Sequence, residues 1–165
     1  MALNNLKDLY VEQLRDLYSA ENQILKALPQ MAEKASHQEL RSAFEEHRTV
    51  TERQVERLDR IFSDLSEKPK GHHCKGMEGL LKEGQELMQE KAADDVMDAG
   101  LIAAAQRVEH YEMAGYGTVR TYADMLGQQE HSRLLQQTLD EEGQTDERLT
   151  QLAERVINID AIRDR

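Results

Sequence analysis

Apolar residues recur along this chain in alternating steps of three and four, the period of a helix with one buried face. The clearest run surrounds Ala103–Ala123, AAAQRVEHYEMAGYGTVRTYA, where Ile102, Ala105, Tyr116, Val119, Ala123 and Leu126 share a stripe. Earlier in the chain Leu14, Leu17, Ile24, Leu28 and Met31 do the same, followed by Leu40, Phe44, Leu58, Phe62 and Leu65. Near the end come Leu135, Leu149, Leu152 and Val156. The pattern predicts long helices over about 5–35, 37–65, 92–126 and 130–159, with a short one over 77–90. Pro29 removes a backbone hydrogen bond and should kink the first helix, yet the stripe runs through it in register. Asn4 or Asn5 suits the first N-cap. Ser36 with Glu39 has the capping-box spacing for the second helix, and Gly127 is a stop signal for the penultimate long helix.

The stripes carry polar interruptions. Glu21, His47, Glu109, Glu112 and Glu142 each sit where a hydrophobe is expected, at the middle of a long helix. A carboxylate in an apolar core is costly unless paired, protonated or metal-bound, and two on one helix face also repel each other. Asp146 lies one turn beyond Glu142. At ~1.5 Å per residue, Glu21 and His47 stand about 22 Å and 16 Å from a turn near residue 36. Glu109 and Glu142 stand roughly 28 Å and 20 Å from a turn near residue 128 by the same rise. The mismatch of roughly 6 to 8 Å within each hairpin is one that helix stagger and turn geometry can absorb, so the positions are compatible with one mid-bundle layer.

The halves also look weakly duplicated. Aligning residues 39–62 with 134–157 puts His47 on Glu142 and Thr51 on Asp146, and a looser match of the first helix to the one around Ala103–Ala123 puts Glu21 on Glu109. Two helical hairpins related by a pseudo-twofold would bring these positions together.

Composition narrows the reading. The chain has 165 residues, the length of one domain (residues 1–165), with two prolines, no tryptophan and 4% aromatics. That suits helix-on-helix packing rather than a sandwich or barrel. The net charge of -11 argues against a nucleic-acid partner, whose phosphates are held by clustered basic residues, and against an anionic membrane surface. No apolar run approaches the ~20 residues of a membrane span, and the N-terminal residues lack a signal-peptide pattern. A lone cysteine, Cys74, fits a reducing compartment, so a cytoplasmic location is expected. The stretch SEKPKGHHCKG, residues 66–76, reads as a flexible connector, because adjacent His72, His73 and Cys74 make a poor chelate.

Oxygen-rich ligands with one imidazole suit iron or manganese better than zinc or copper(I). Inward glutamates and histidine in a four-helix bundle are how dinuclear carboxylate sites are built. The bland alternative is that Arg53, Arg107, Arg120 or Arg148 neutralises the buried acids. Tyr111, Tyr116 and Tyr18 are candidates for the surroundings of the metals.

Five segments, LRDLYSAENQILKALPQMA, AFEEHRTVTERQVERLDRI, MEGLLKEG, DAGLIAAAQRVEHYEMAGYGT and LLQQTLDEEGQTDERLTQLA, closely resemble the ferritin-like YciE/YciF family of bacterial stress proteins, in its YciF branch. The resemblance implies an all-α, ferritin-like four-helix bundle, with a long crossover that contains the short extra helix. It implies a homodimer and a dinuclear site of two iron ions per chain, or manganese, held by Glu21, His47, Glu109, Glu112 and Glu142 with Asp146. Such a site would oxidise ferrous iron or reduce dioxygen or peroxide. The sequence departs from the usual Glu-x-x-His pairs: Phe44 stands three before His47, and Thr145 three after Glu142. Loss of those ligands favours the competing expectation, a non-enzymatic structural or protein-interaction module.

Overall fold

The computed structural model describes residues 3–163. Among them every regular element is helical: α1 (Leu6–Lys34), α2 (Gln38–Asp64), α3 (Lys75–Gln89), α4 (Asp94–Met125), α5 (Gln129–Leu152) and α6 (Asn158–Arg163). α1 and α2 form one hairpin and α4 and α5 the other; the hairpins meet through α1 against α4 and α2 against α5. The start of α4 lies against the α1–α2 turn, at the opposite end from where α2 stops. The 65–93 crossover must therefore travel the length of the bundle, and its helix α3 packs on α4 and α1 along the way. This is the ferritin-like arrangement.

Helix ends follow local chemistry in some places and tertiary contacts in others. Asn5 caps α1, its Oδ1 accepting from the Asp8 amide at 3.0 Å. α1 runs unbroken through Pro29. Gly127 ends α4 in the left-handed region at φ +72. Its N–H bonds Asp124 O at 3.0 Å and the next N–H, of Gln128, reaches back to Ala123 O at 2.8 Å, the paired bonds of a Schellman stop.

The Ser36–Glu39 capping box does not form. α2 starts one residue later than that motif requires, behind His37, which makes no side-chain cap. Buried Asp98 of α4 does the capping instead, accepting from the Ser36 N–H at 2.9 Å and the His37 N–H at 2.7 Å. Glu39 is left to pair with Arg155. The last long helix also differs from expectation: after Leu152 it passes through a π-helical turn, Ala153–Ile157, before α6. That extra residue per turn rotates the face that follows and keeps Ile157 buried.

The connector is pinned rather than flexible. Arg15 holds it at one end, through Glu67 (2.8 Å) and Lys68 O (3.0 Å). At the other, His72 places one ring nitrogen 2.8 Å from Glu12 and the other 2.9 Å from Asp16. Cys74 is fully buried and caps α3 with its sulfur, which accepts from the Met77 amide.

The apolar core comes in two blocks. One gathers Tyr10, Leu14, Leu17, Leu58, Phe62, Tyr116 and Leu135. The other gathers Ile24, Leu28, Leu40, Phe44, Leu101, Leu149 and Ile157. Between them lies a buried polar layer: Glu21, His47, Thr51, Gln54, Glu109, Glu112, Thr138 and Glu142. Gly115 allows α4 to approach α1 there, since a Cβ at that position would fall 2.7 Å from Leu17 Cδ2. Gly143, by contrast, makes room for nothing: a Cβ on it would meet open space.

Candidate metal centre

Each long helix delivers its anomalous residue to that layer. His47 from α2, Glu109 and Glu112 from α4 and Glu142 from α5 offer ligand atoms that all lie within 4.8 Å of one another. All four are buried. His47 Nε2 stands 3.1 Å from Glu109 Oε1. Glu21 of α1, with no exposed surface, joins them electrostatically: it raises the proton affinity of both Glu109 and Glu112. The Tyr116 hydroxyl donates to Glu21 Oε1.

The remaining partners are missing. Both oxygens of Glu112, both of Glu142, one each of Glu21 and Glu109 and both nitrogens of His47 are buried without a hydrogen bond, Nε2 meeting Glu109 only as an ion-pair contact. Orphaned buried polar atoms cost roughly 1–3 kcal/mol each, more when charged, so a cluster of eight is not a packing detail. The arginines do not rescue it. Arg148 pairs with Glu46 and Arg120 with Asp124, Arg107 bonds the Ala103 carbonyl on its own helix, and Arg53 is exposed.

Electrostatics follow from this isolation. Burial, and then the neighbouring Glu142, pushes the Glu21 carboxyl up from 4.5 to about 8. Burial first, opposed by the adjacent Glu142 carboxyl and aided by the charge of Glu21, raises Glu109 to about 7. Glu112 and Glu142 are pushed well above the usual carboxylate range, again mainly by burial, with the surrounding acids adding to it. Without a cation the layer is a store of protons. With all four glutamates ionised, their four negative charges match two divalent cations.

Asp146 is not brought into the group. It accepts from Gln106 Nε2 at 3.1 Å and sits 3.2 Å from His110 Nε2. At this position the α5 stripe has turned toward the bundle edge. Of the three tyrosines, Tyr116 alone touches a cluster residue in a hydrogen bond. Tyr111 bonds Asp16 and Cys74 at the α3 seam, and Tyr18 packs edge-on to Phe62.

The pattern understated the surroundings. Arg57 grips Glu141 with two bonds, 2.6 and 2.7 Å, and reaches Thr138 at 3.1 Å. Gln54 bonds the same carboxylate at 3.3 Å. Polar seam positions at Thr51, Gln54 and Thr138 were the available signal for this flank.

The family model described as a domain of unknown function, DUF892, matches residues 5–162. The chain belongs to the DUF892 family. Protein YciF of Escherichia coli (strain K12), a curated relative of this DUF892 chain, is 42% identical over 159 residues, covering 96% of each chain. The crystal structure of YciF, described as an E. coli stress protein, superposes with a TM-score of 0.90 at 40% identity, covering 99% of this chain and 100% of that one. YcfI from Rhodopseudomonas palustris superposes with a TM-score of 0.86 at 42% identity, covering 89% of this chain and 94% of that one. A Xanthomonas campestris protein only 19% identical shares the fold, with a TM-score of 0.77. This DUF892 chain is thus a YciF-type helical bundle with a buried group of histidine and glutamates suited to a metal ion. No helix among the described residues is long and apolar enough to cross a membrane.

Proposed function

We propose that this chain is a stress-response protein whose central layer holds two iron or manganese ions for redox chemistry on dioxygen, peroxide or ferrous iron. The supporting observation is the set of unpartnered buried oxygens and nitrogens on Glu21, His47, Glu109, Glu112 and Glu142. Four carboxylates and one imidazole are a hard, oxygen-rich donor set, which suits iron and manganese. The pair, when bound, would supply the electron-transfer chemistry. The chain's own residues do the rest. Glu109 and Glu112, a helical turn apart on α4, face ligands from both hairpins and hold them at one depth. Tyr116, its proton held by burial and by Glu21 and Glu112, donates to Glu21 and orients that carboxylate. The apolar blocks on either side keep bulk water out of the layer. Asp146, held by His110 and Gln106, would orient the α5 edge rather than bind directly. The stress role follows the description of the E. coli relative, and a homodimer is the assembly that the family resemblance implies.

The test is metal content on untagged protein purified without chelators, beside a Glu109→Ala, Glu142→Ala double variant. Close to two iron or manganese ions per chain, lost in the variant, supports the reading. Metal well below one per chain and indifferent to the substitutions would leave a structural bundle, and this proposal would fall.

A further inference from the structure

A cavity of about 230 Å³ opens beside the polar layer and reaches His47 and Glu109. Its walls are aliphatic and aromatic, including Ile24, Leu28, Phe44, Ala105, Val108 and Leu149, and all of these are buried. Its charged, exposed lining residues are Glu46 of α2 and Arg148 of α5. These two pair with each other, and Glu141, also on the lining, is held by Arg57, so the charges at the α2–α5 opening are satisfied and offer no spare ion to a charged ligand. An apolar cavity of about 150 Å³ stays dry and accepts benzene. This one is larger, and at about 30 Å³ per water-sized group it has room for on the order of seven such groups.

We propose that this cavity is a binding site for a small, uncharged, apolar organic molecule, a single aromatic ring or a short alkyl chain, seated against the His47 and Glu109 edge of the cluster. Binding depends on the cavity's shape and lining and stands apart from whether metals occupy the layer. Were the layer redox-active, a molecule seated here would be next to it.

Benzene is the probe, titrated into the metal-free protein and followed by methyl NMR. Saturable shifts centred on Ile24, Val108 and Leu149 are expected, with a Kd on the order of 0.1–1 mM, within the per-atom limit for six carbon atoms. Ala105→Phe fills the cavity and should weaken binding at least tenfold. Ala43→Leu serves the same purpose from α2 should the first variant unfold. Benzoate should bind far more weakly than benzene. Absence of saturable shifts, unchanged binding in a folded cavity-filling variant, or benzoate binding as well as benzene would each overturn the proposal. Benzene uptake blocked by self-association and restored on dilution would assign the cavity to a second copy and overturn it too. Manganese uptake by the Ala105→Phe protein, measured alongside, separates failure of this site from failure of the metal reading.

Discussion

Two clusters of acids and histidine lie in this molecule, and they are built on opposite principles. At the seam of α1, α3 and α4, Asp16 collects His72, the Cys74 thiol and the Tyr111 hydroxyl, all within 3.2 Å. Burial raises the proton affinity of both the thiol and the phenol, so each remains a donor and the acid is fully used. In the central layer the acids have one another for neighbours, and most of their atoms have no partner. A satisfied polar cluster rigidifies a fold, while an unsatisfied one is a liability unless a ligand completes it. The seam cluster is mortar; the central one is a socket.

Ionisation gives the largest effect. In the metal-free protein the folded state holds protons on Glu21 to about pH 8 and on Glu109 to about pH 7, whereas the unfolded chain releases them near 4.5. Between those limits the folded state binds more protons, so stability must fall as pH rises. Denaturant titrations from pH 4.5 to 8 should show a loss of several kcal/mol across that range. A Glu112→Gln, Glu142→Gln variant should flatten that slope and be the more stable protein at pH 8. Asp16→Asn at the seam should leave the slope intact.

Metal loading comes next. Saturation with Mn(II) at about a thousand times Kd stabilises by roughly 4 kcal/mol. For a protein of this size that is a rise in Tm of about 10 °C, accompanied by proton release. Scanning calorimetry with and without chelator reads both Tm values, and equal ones would dissolve the distinction between socket and mortar.

Asp16→Ala strips three donors of their partner and should cost about 2–3 kcal/mol, with no change in metal uptake. Asp98→Ala removes the acceptor from two amides at the start of α2 and should cost about 2 kcal/mol, read as faster hydrogen exchange at Ser36 and His37. Gly115→Ala forces Leu17 aside and should cost about 1 kcal/mol, measured as a small drop in Tm.

Much of this was legible beforehand. The order of the first five helices, the Asn5 and Gly127 boundaries and the crossover helix all follow from periodicity and capping chemistry within a few residues, whereas the π-helical turn that sets off α6 does not. Glu21, His47, Glu109, Glu112 and Glu142 declared themselves by breaking apolar stripes at mid-helix. The partners of Asp146 and of the connector were not legible, for one shared reason: a polar residue near a stripe, or in a loop, carries no local mark of the partner it will meet. His110 and Gln106 claim Asp146 from another helix, and Glu12 and Asp16 claim His72 across 60 and 56 residues.

The amino-acid sequence by itself determined that the chain is helical, that its helices are amphipathic, and that five ionisable residues lie on their buried faces, because these are properties of spacing along one helix. Tertiary structure alone decided which of those residues meet, that Asp98 rather than Ser36 caps α2, and that the atoms of one acid cluster are satisfied while those of the other are not. Hydrogen bonding and desolvation depend on the distance between groups on different helices, and that distance exists only once the hairpins have packed.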